Sequence, residues 1–198
     1  MRLVRLAAAV AAVIALCGCY LPTKFTAEIA ITEDGDYTLN FAGTLAASGV
    51  APGLSIGTPT PAQLTERIES ARRDLIRDSG MQDIRYLGNG VYQVDYRRTG
   101  NIRAEKTLSF VRTDSKILTI SYIKTNGDIV IRGATVPSSQ RGWIRDAGFT
   151  VVGELRVTTS GKVKDHNATA VIDRDNGVKT YVWIIDGLDA PAPKLTLG

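Results

Sequence analysis

The chain has 198 residues, 44% hydrophobic and 22% charged, which fits a globular domain and excludes a disordered, collagenous or coiled-coil chain. Two cysteines and one histidine exclude a disulfide scaffold, a zinc finger, a multi-histidine metal site and any mechanism that needs two imidazoles. Without Arg2 and Arg5 the formal charge of +4 shrinks to 22 basic against 20 acidic residues, too even a balance for a nucleic-acid-binding surface.

Residues 1–18 read as a secretory signal peptide: two arginines, an apolar run from Leu6 to Leu16, then small residues. The run would rise about 16 Å as a helix, roughly half the hydrocarbon thickness of a bilayer, so it suits export rather than permanent residence. Leu16, Cys17, Gly18 and Cys19 resemble the bacterial lipobox, which implies that Cys19 becomes the lipidated first residue of the mature chain. Cys17 fits less well, because bulky Leu16 would then stand beside the cut. Tyr20 follows in place of aspartate, which in a Gram-negative envelope implies carriage to the outer membrane, facing the periplasm. Each acyl CH₂ buried in lipid contributes about 0.8 kcal/mol, so more than one chain makes attachment effectively permanent. Acylation also consumes the last thiol, and the exported domain must be held by its core.

Residues 19–23 are expected to form a short tether, and residues 24–198 a single domain. Lys24 to Thr32 and Tyr37 to Leu45 alternate apolar and polar residues as strands do, and Asp34-Gly35 between them predicts a hairpin with a type I′ turn. Residues 47–60, rich in glycine and proline, read as a loop. Thr60, Pro61 and Gln63 supply an N-cap, a first-turn proline and a capping-box partner. Leu64, Ile68, Ala71 and Leu75 then follow at helical spacing, predicting a helix over about 61–79.

Strand patterns return from Asp83, with Asn89-Gly90, Asn126-Gly127 and Asn176-Gly177 as tight turns. A second, shorter helix is expected over 138–148, followed by strands over 149–157 and 181–185. Hairpins dominate and βαβ alternation is absent. The expected fold is therefore α+β: a mainly antiparallel sheet built from hairpins, with one long and one short helix packed on it.

The start GCYLPTKFTAEIAITEDGDYTLNFAG and the stretch Val157 to Ile185, with Gly161, Val163, Asn167 and Val182-Trp183-Ile184, resemble the LppM-type domain of bacterial envelope lipoproteins. The resemblance implies envelope residence and interaction with lipid or a surface, and it transfers no catalytic residue. Members often add a carboxy-terminal transmembrane helix; no second apolar span follows here.

Candidate chemistry is sparse. His166 stands beside Asp165, but neighbours in an extended chain point to opposite sides, and no G-x-S-x-G elbow accompanies them. Asp173, Asp175 and Asn176 hint at a calcium loop without its closing glutamate, and Glu33, Asp34 and Asp36 cluster at a turn; turn chemistry accounts for both. Arg97, Arg98, Arg103 and Lys106, flanking Gly100 and Asn101, are read as a cationic hairpin tip: first as a solvated edge whose charge opposes aggregation, and alternatively as the candidate contact for anionic lipid, polysaccharide or an envelope protein. Trp143 and Trp183 are expected as core anchors. No catalytic residue, metal site or cofactor is assigned. The function expected is non-enzymatic binding or scaffolding by a membrane-anchored envelope lipoprotein. The alternatives are a carrier of lipid or other apolar cargo, and a carboxylate-based envelope hydrolase.

Overall fold

The computed structural model describes residues 20–55, 57–112 and 115–198, so residues 1–18, expected as a signal peptide, and Cys19 lie outside the described residues. The fold is α+β and rich in antiparallel sheet. β1 (Tyr20–Ile31) and β2 (Asp36–Ala47) form the first hairpin, paired from Tyr20 opposite Ala47 to Ile31 opposite Tyr37 with a one-residue register shift between Pro22 and Lys24. Tyr20 to Thr23, expected within a tether, are thus already part of the strand. The turn is a three-residue loop closed by the Thr32 amide donating to the Asp36 carbonyl at 2.9 Å. Only Gly35 adopts positive φ, at 90°, whereas a type I′ turn needs two such residues. Asn89 and Gly90 do provide the pair, at 50° and 72°, and join β3 (Met81–Gly88) to β4 (Val91–Asn101).

Between β2 and β3 runs α1 (Pro61–Ile76), started as expected: the Thr60 hydroxyl accepts from the Gln63 amide and the Gln63 side chain accepts from the Thr60 amide. The helix is two to three residues shorter than its pattern suggested, because Gly80 lies beside β3 with its carbonyl accepting from the Arg97 amide. Leu75 is fully buried beneath α1. The hydroxyls of Tyr92 and Tyr20 seat the helix by donating to the carbonyls of Ile68 and Ala71, at 2.8 and 2.9 Å.

After β4 the chain turns through α2 (Ile102–Glu105), a single turn capped by Asn101, whose side-chain oxygen accepts the amides of Arg103 and Ala104. It then enters a second sheet through β5 (Thr107–Arg112), β6 (Ser115–Ile123) and β7 (Asp128–Gly133). α3 (Ser138–Asp146) leads to β8 (Val152–Thr159), and β9 (Val163–His166), β10 (Ala170–Asp173), β11 (Lys179–Ile185) and β12 (Lys194–Leu197) complete the chain. The first sheet has the order β10-β11-β8-β1-β2-β4-β3 and the second β5-β6-β7-β12-β9. One sheet was expected; two are present among the described residues, with three α-helices. β8 joins β1 in parallel, Lys24 opposite Val152 through Ile31 opposite Thr159, so the larger sheet is mixed.

The sheets share one core, to which Ile29, Leu39 and Phe41 contribute from the first and Phe110, Ile120, Ile131 and Leu195 from the second. Phe110 packs on Phe41 and Tyr96 with ring centroids 4.5 and 4.6 Å away. Strand alternation places these residues inside, while Lys24, Thr26 and Glu28 of β1 face outward.

Candidate functional site at the amino-terminal end

Tyr20, the first residue of β1, is 6% exposed. Its amide donates to the buried hydroxyl of Ser115 at 3.1 Å, and its own hydroxyl reaches α1. The place where the chain enters the domain is therefore pinned from two sides, by β6 and by α1.

Two concavities open around this residue. One, of about 410 Å³, is walled largely by apolar groups: Leu21 and Pro22 of β1, Leu54 of the loop, Ile117 of β6, and Trp143 and Ile144 of α3. Lys116 is the charged residue on its lining. Trp143, expected in the core, is 40% exposed at this groove, because the inward face of α3 is taken by Ile144, about 100° further round the helix. The other concavity, of about 510 Å³, lies between α1 and the start of the loop and carries Arg67, Arg73, Arg77 and Asp74. There Arg67 donates to the Gly49 carbonyl at 3.2 Å, and Arg77 stands 3.8 Å from Asp74. A largely apolar concavity and one carrying three arginines thus adjoin at Tyr20. Between the sheets, an apolar cavity bordered by Phe25, Phe41 and Leu155 measures about 60 Å³, room for a few waters and no more.

The cations singled out in the sequence lie elsewhere. Gly100 and Asn101 are the corner where the chain leaves the first sheet, not a hairpin tip, since Asn101 caps α2 instead of turning a strand back. Arg97 and Arg98 are consecutive strand residues and take opposite faces. Arg98 pairs with Glu105 at 2.9 Å, and the Tyr37 hydroxyl donates to the same carboxylate at 3.0 Å. Burial of Tyr37, with help from that carboxylate, pushes its hydroxyl up to about 12. Arg103 donates to the Glu33 carbonyl and lies over the Tyr122 ring at 5.1 Å, as does the Lys106 ammonium. Three of the four cations are thus engaged in closing this corner. β1 is 12 residues long, which puts this corner roughly 36 Å from Tyr20 at about 3.3 Å per residue.

His166 is exposed, its Nδ1 accepts from the Ala168 amide at 3.2 Å, and its ring meets Tyr181 edge-on. Asp173 pairs with Lys179 across a hairpin, and Asn176 with Gly177 forms its turn. Asp165 is held below the ordinary carboxylate range by its hydrogen bond and charge pairing with Lys194, at the surface. Trp183, unlike Trp143, is buried as expected. No helix among the described residues is long and apolar enough to cross a membrane.

Neither family models nor curated protein sequences match this chain. Among solved structures it is similar to the folded domain of LppM from Mycobacterium tuberculosis, with a TM-score of 0.47 and 11% identity over 88% of each chain. It is also similar to an M1 zinc metallopeptidase from Deinococcus radiodurans, with a TM-score of 0.39 and 12% identity over 91% of this chain and 42% of that one. At these values both are likenesses of layout and carry no argument about activity.

Proposed function

We propose that this chain is a lipid-anchored protein of a bacterial cell envelope, carried to the outer membrane, whose domain works by binding rather than catalysis at the leaflet that holds it. The observation that supports the reading most directly is Tyr20. It is the residue after the lipobox cysteine, and it is already buried in the sheet, so anchor and domain are joined without a linker. The amino-terminal end of the sandwich then rests against the headgroups, with Trp143 and the α1 arginines facing them. Each close cation adds about 1 kcal/mol at an anionic surface, so this end suits lipid contact better than Arg97, Arg98, Arg103 and Lys106 do. Of those four, Arg98, Arg103 and Lys106 are engaged at the far corner, so the exposed Arg97 is the member that suits contact with an anionic polysaccharide or envelope protein.

A whole lipid does not fit the apolar cavity bordered by Phe25, Phe41 and Leu155, which measures about 60 Å³. The hydrolase reading would call for paired carboxylates in a pocket with raised titration. Among the described residues the carboxylate with a shift, Asp165, is instead lowered, and sits on the surface.

Globomycin, which blocks lipoprotein signal cleavage, is expected to make the unprocessed precursor accumulate, and mass analysis of the mature amino-terminal peptide to show a diacylglyceryl cysteine at residue 19. Unchanged processing with a bare thiol would sink the reading.

A further inference from the structure

We infer that the apolar groove beside Tyr20 receives one of the acyl chains carried by Cys19 when the protein is away from a bilayer. The inference rests on the lipid-anchored reading above and adds an occupant to it. The carbonyl of Cys19 is bonded to the Tyr20 nitrogen, and that nitrogen is fixed by Ser115 at 3.1 Å. Tyr20 and Ser115 both lie on the groove wall, so the lipid-bearing residue enters at the edge of the concavity.

The surroundings select hydrocarbon. Leu21, Leu54, Ile117, Trp143 and Ile144 line a volume of about 410 Å³. The adjoining groove, with its three arginines, suits a charged group and would desolvate badly against an acyl chain. Trp143 gives the groove a large apolar rim that remains exposed while its neighbour Ile144 is buried. In a bilayer the chain is already out of water and gains nothing by entering. In aqueous transit it is exposed, and burial against these side chains is favourable. The groove is therefore expected to be filled off the membrane and empty on it.

The test supplies a photoreactive fatty acid to cells making the full chain, so that it is built into the lipid on Cys19. The purified protein is irradiated below the micelle-forming concentration of its detergent, and adducts are mapped by mass. The expected product joins the Cys19 peptide, through its lipid, to peptides containing Ile117 or Trp143. Ala134 lies exposed on the groove lining, and Ala134→Phe, which fills the groove from there, is expected to lose that product while melting as the parent does. Groove peptides carrying the mass of a free phospholipid would overturn the inference in favour of a bilayer lipid as occupant. Crosslinks to detergent alone, or an undiminished product in Ala134→Phe, would overturn it outright. A Cys19 peptide without lipid overturns instead the reading beneath it, and the same mass spectra distinguish the two failures.

Discussion

The indole N–H of Trp183 donates to the side-chain oxygen of Asn167 at 2.8 Å, and that oxygen also accepts the Lys194 amide at 2.7 Å. Trp183 belongs to the larger sheet and Lys194 to the smaller, so one amide ties the two together at their open edge. The Asn167 nitrogen completes the bridge by donating to the Ala192 carbonyl at 2.8 Å. Asn167→Ala orphans a buried indole donor and two backbone groups. It is expected to lower unfolding stability by about 1–3 kcal/mol, read by urea denaturation. Asn167→Asp keeps both acceptor contacts and loses the donor, and should fall between Ala and the parent.

The seat of α1 separates two kinds of stabilisation. Leu75 is fully buried, so Leu75→Ala is expected to cost about 2–5 kcal/mol through lost burial and the cavity left behind. Tyr92→Phe removes only the hydroxyl that reaches Ile68, and should cost about 0.5–1.5 kcal/mol. Equal losses in the two variants would show that α1 is held by its polar contacts rather than by its apolar face.

Alkaline stability follows from the same inward tyrosines. Burial raises Tyr37 and Tyr92 to about 12 from an ordinary 10, and Tyr96 higher still. A raised folded value means that the folded state holds its proton more tightly than the unfolded chain. Their contribution is complete below pH 10 and is lost as pH climbs from 10 to about 12. The midpoint of urea unfolding is expected to fall over that interval, and to fall less steeply in Tyr37→Phe. A flat midpoint across it would refute the assignment.

The parts of this fold that could be read along the chain are those whose cause is local. Thr60, Pro61 and Gln63 act within one turn, and Asn89-Gly90 meets the backbone demand of its hairpin by itself. The β1–β8 pairing joins residues more than a hundred positions apart, and nothing near Lys24 or Val152 announces a parallel partner. Nor does a sequence of hairpins say whether they lie in one sheet or two. Gly100-Asn101 misled because asparagine serves equally in turns and at helix N-caps. The expected grouping of four cations at one tip erred on a signal that was present, since Arg97 and Arg98 are adjacent in a strand and take opposite faces. The groove at Tyr20 draws on β1, β6, α3 and a loop, and no spacing in the sequence joins Leu21, Ile117 and Trp143.

The two tryptophans offer an optical check on the α3 face. In Trp183→Phe the remaining Trp143, 40% exposed, is expected to emit at long wavelength and to be quenched readily by acrylamide. In Trp143→Phe the remaining Trp183, 3% exposed, should emit at shorter wavelength and resist the quencher. Similar quenching of both would mean that Trp143 is covered.

Orientation at the membrane can be measured through the missing linker. Ser70 on α1 lines the groove next to Tyr20, whereas Ala104 on α2 lies at the far corner. Dyes on Ser70→Cys and Ala104→Cys, with the lipidated protein in vesicles that carry a headgroup quencher, are expected to differ sharply, the first quenched and the second bright. Inserting about ten glycine and serine residues between Cys19 and Tyr20 adds a coil of roughly 17 Å root-mean-square length and frees the domain to tumble. The difference between the two positions should then shrink, unless the Arg67, Arg73 and Arg77 surface holds the domain down by itself. Raising salt separates those cases, because a bond made by exposed cations to anionic headgroups weakens as the screening length shortens, and contact imposed by a short covalent anchor does not.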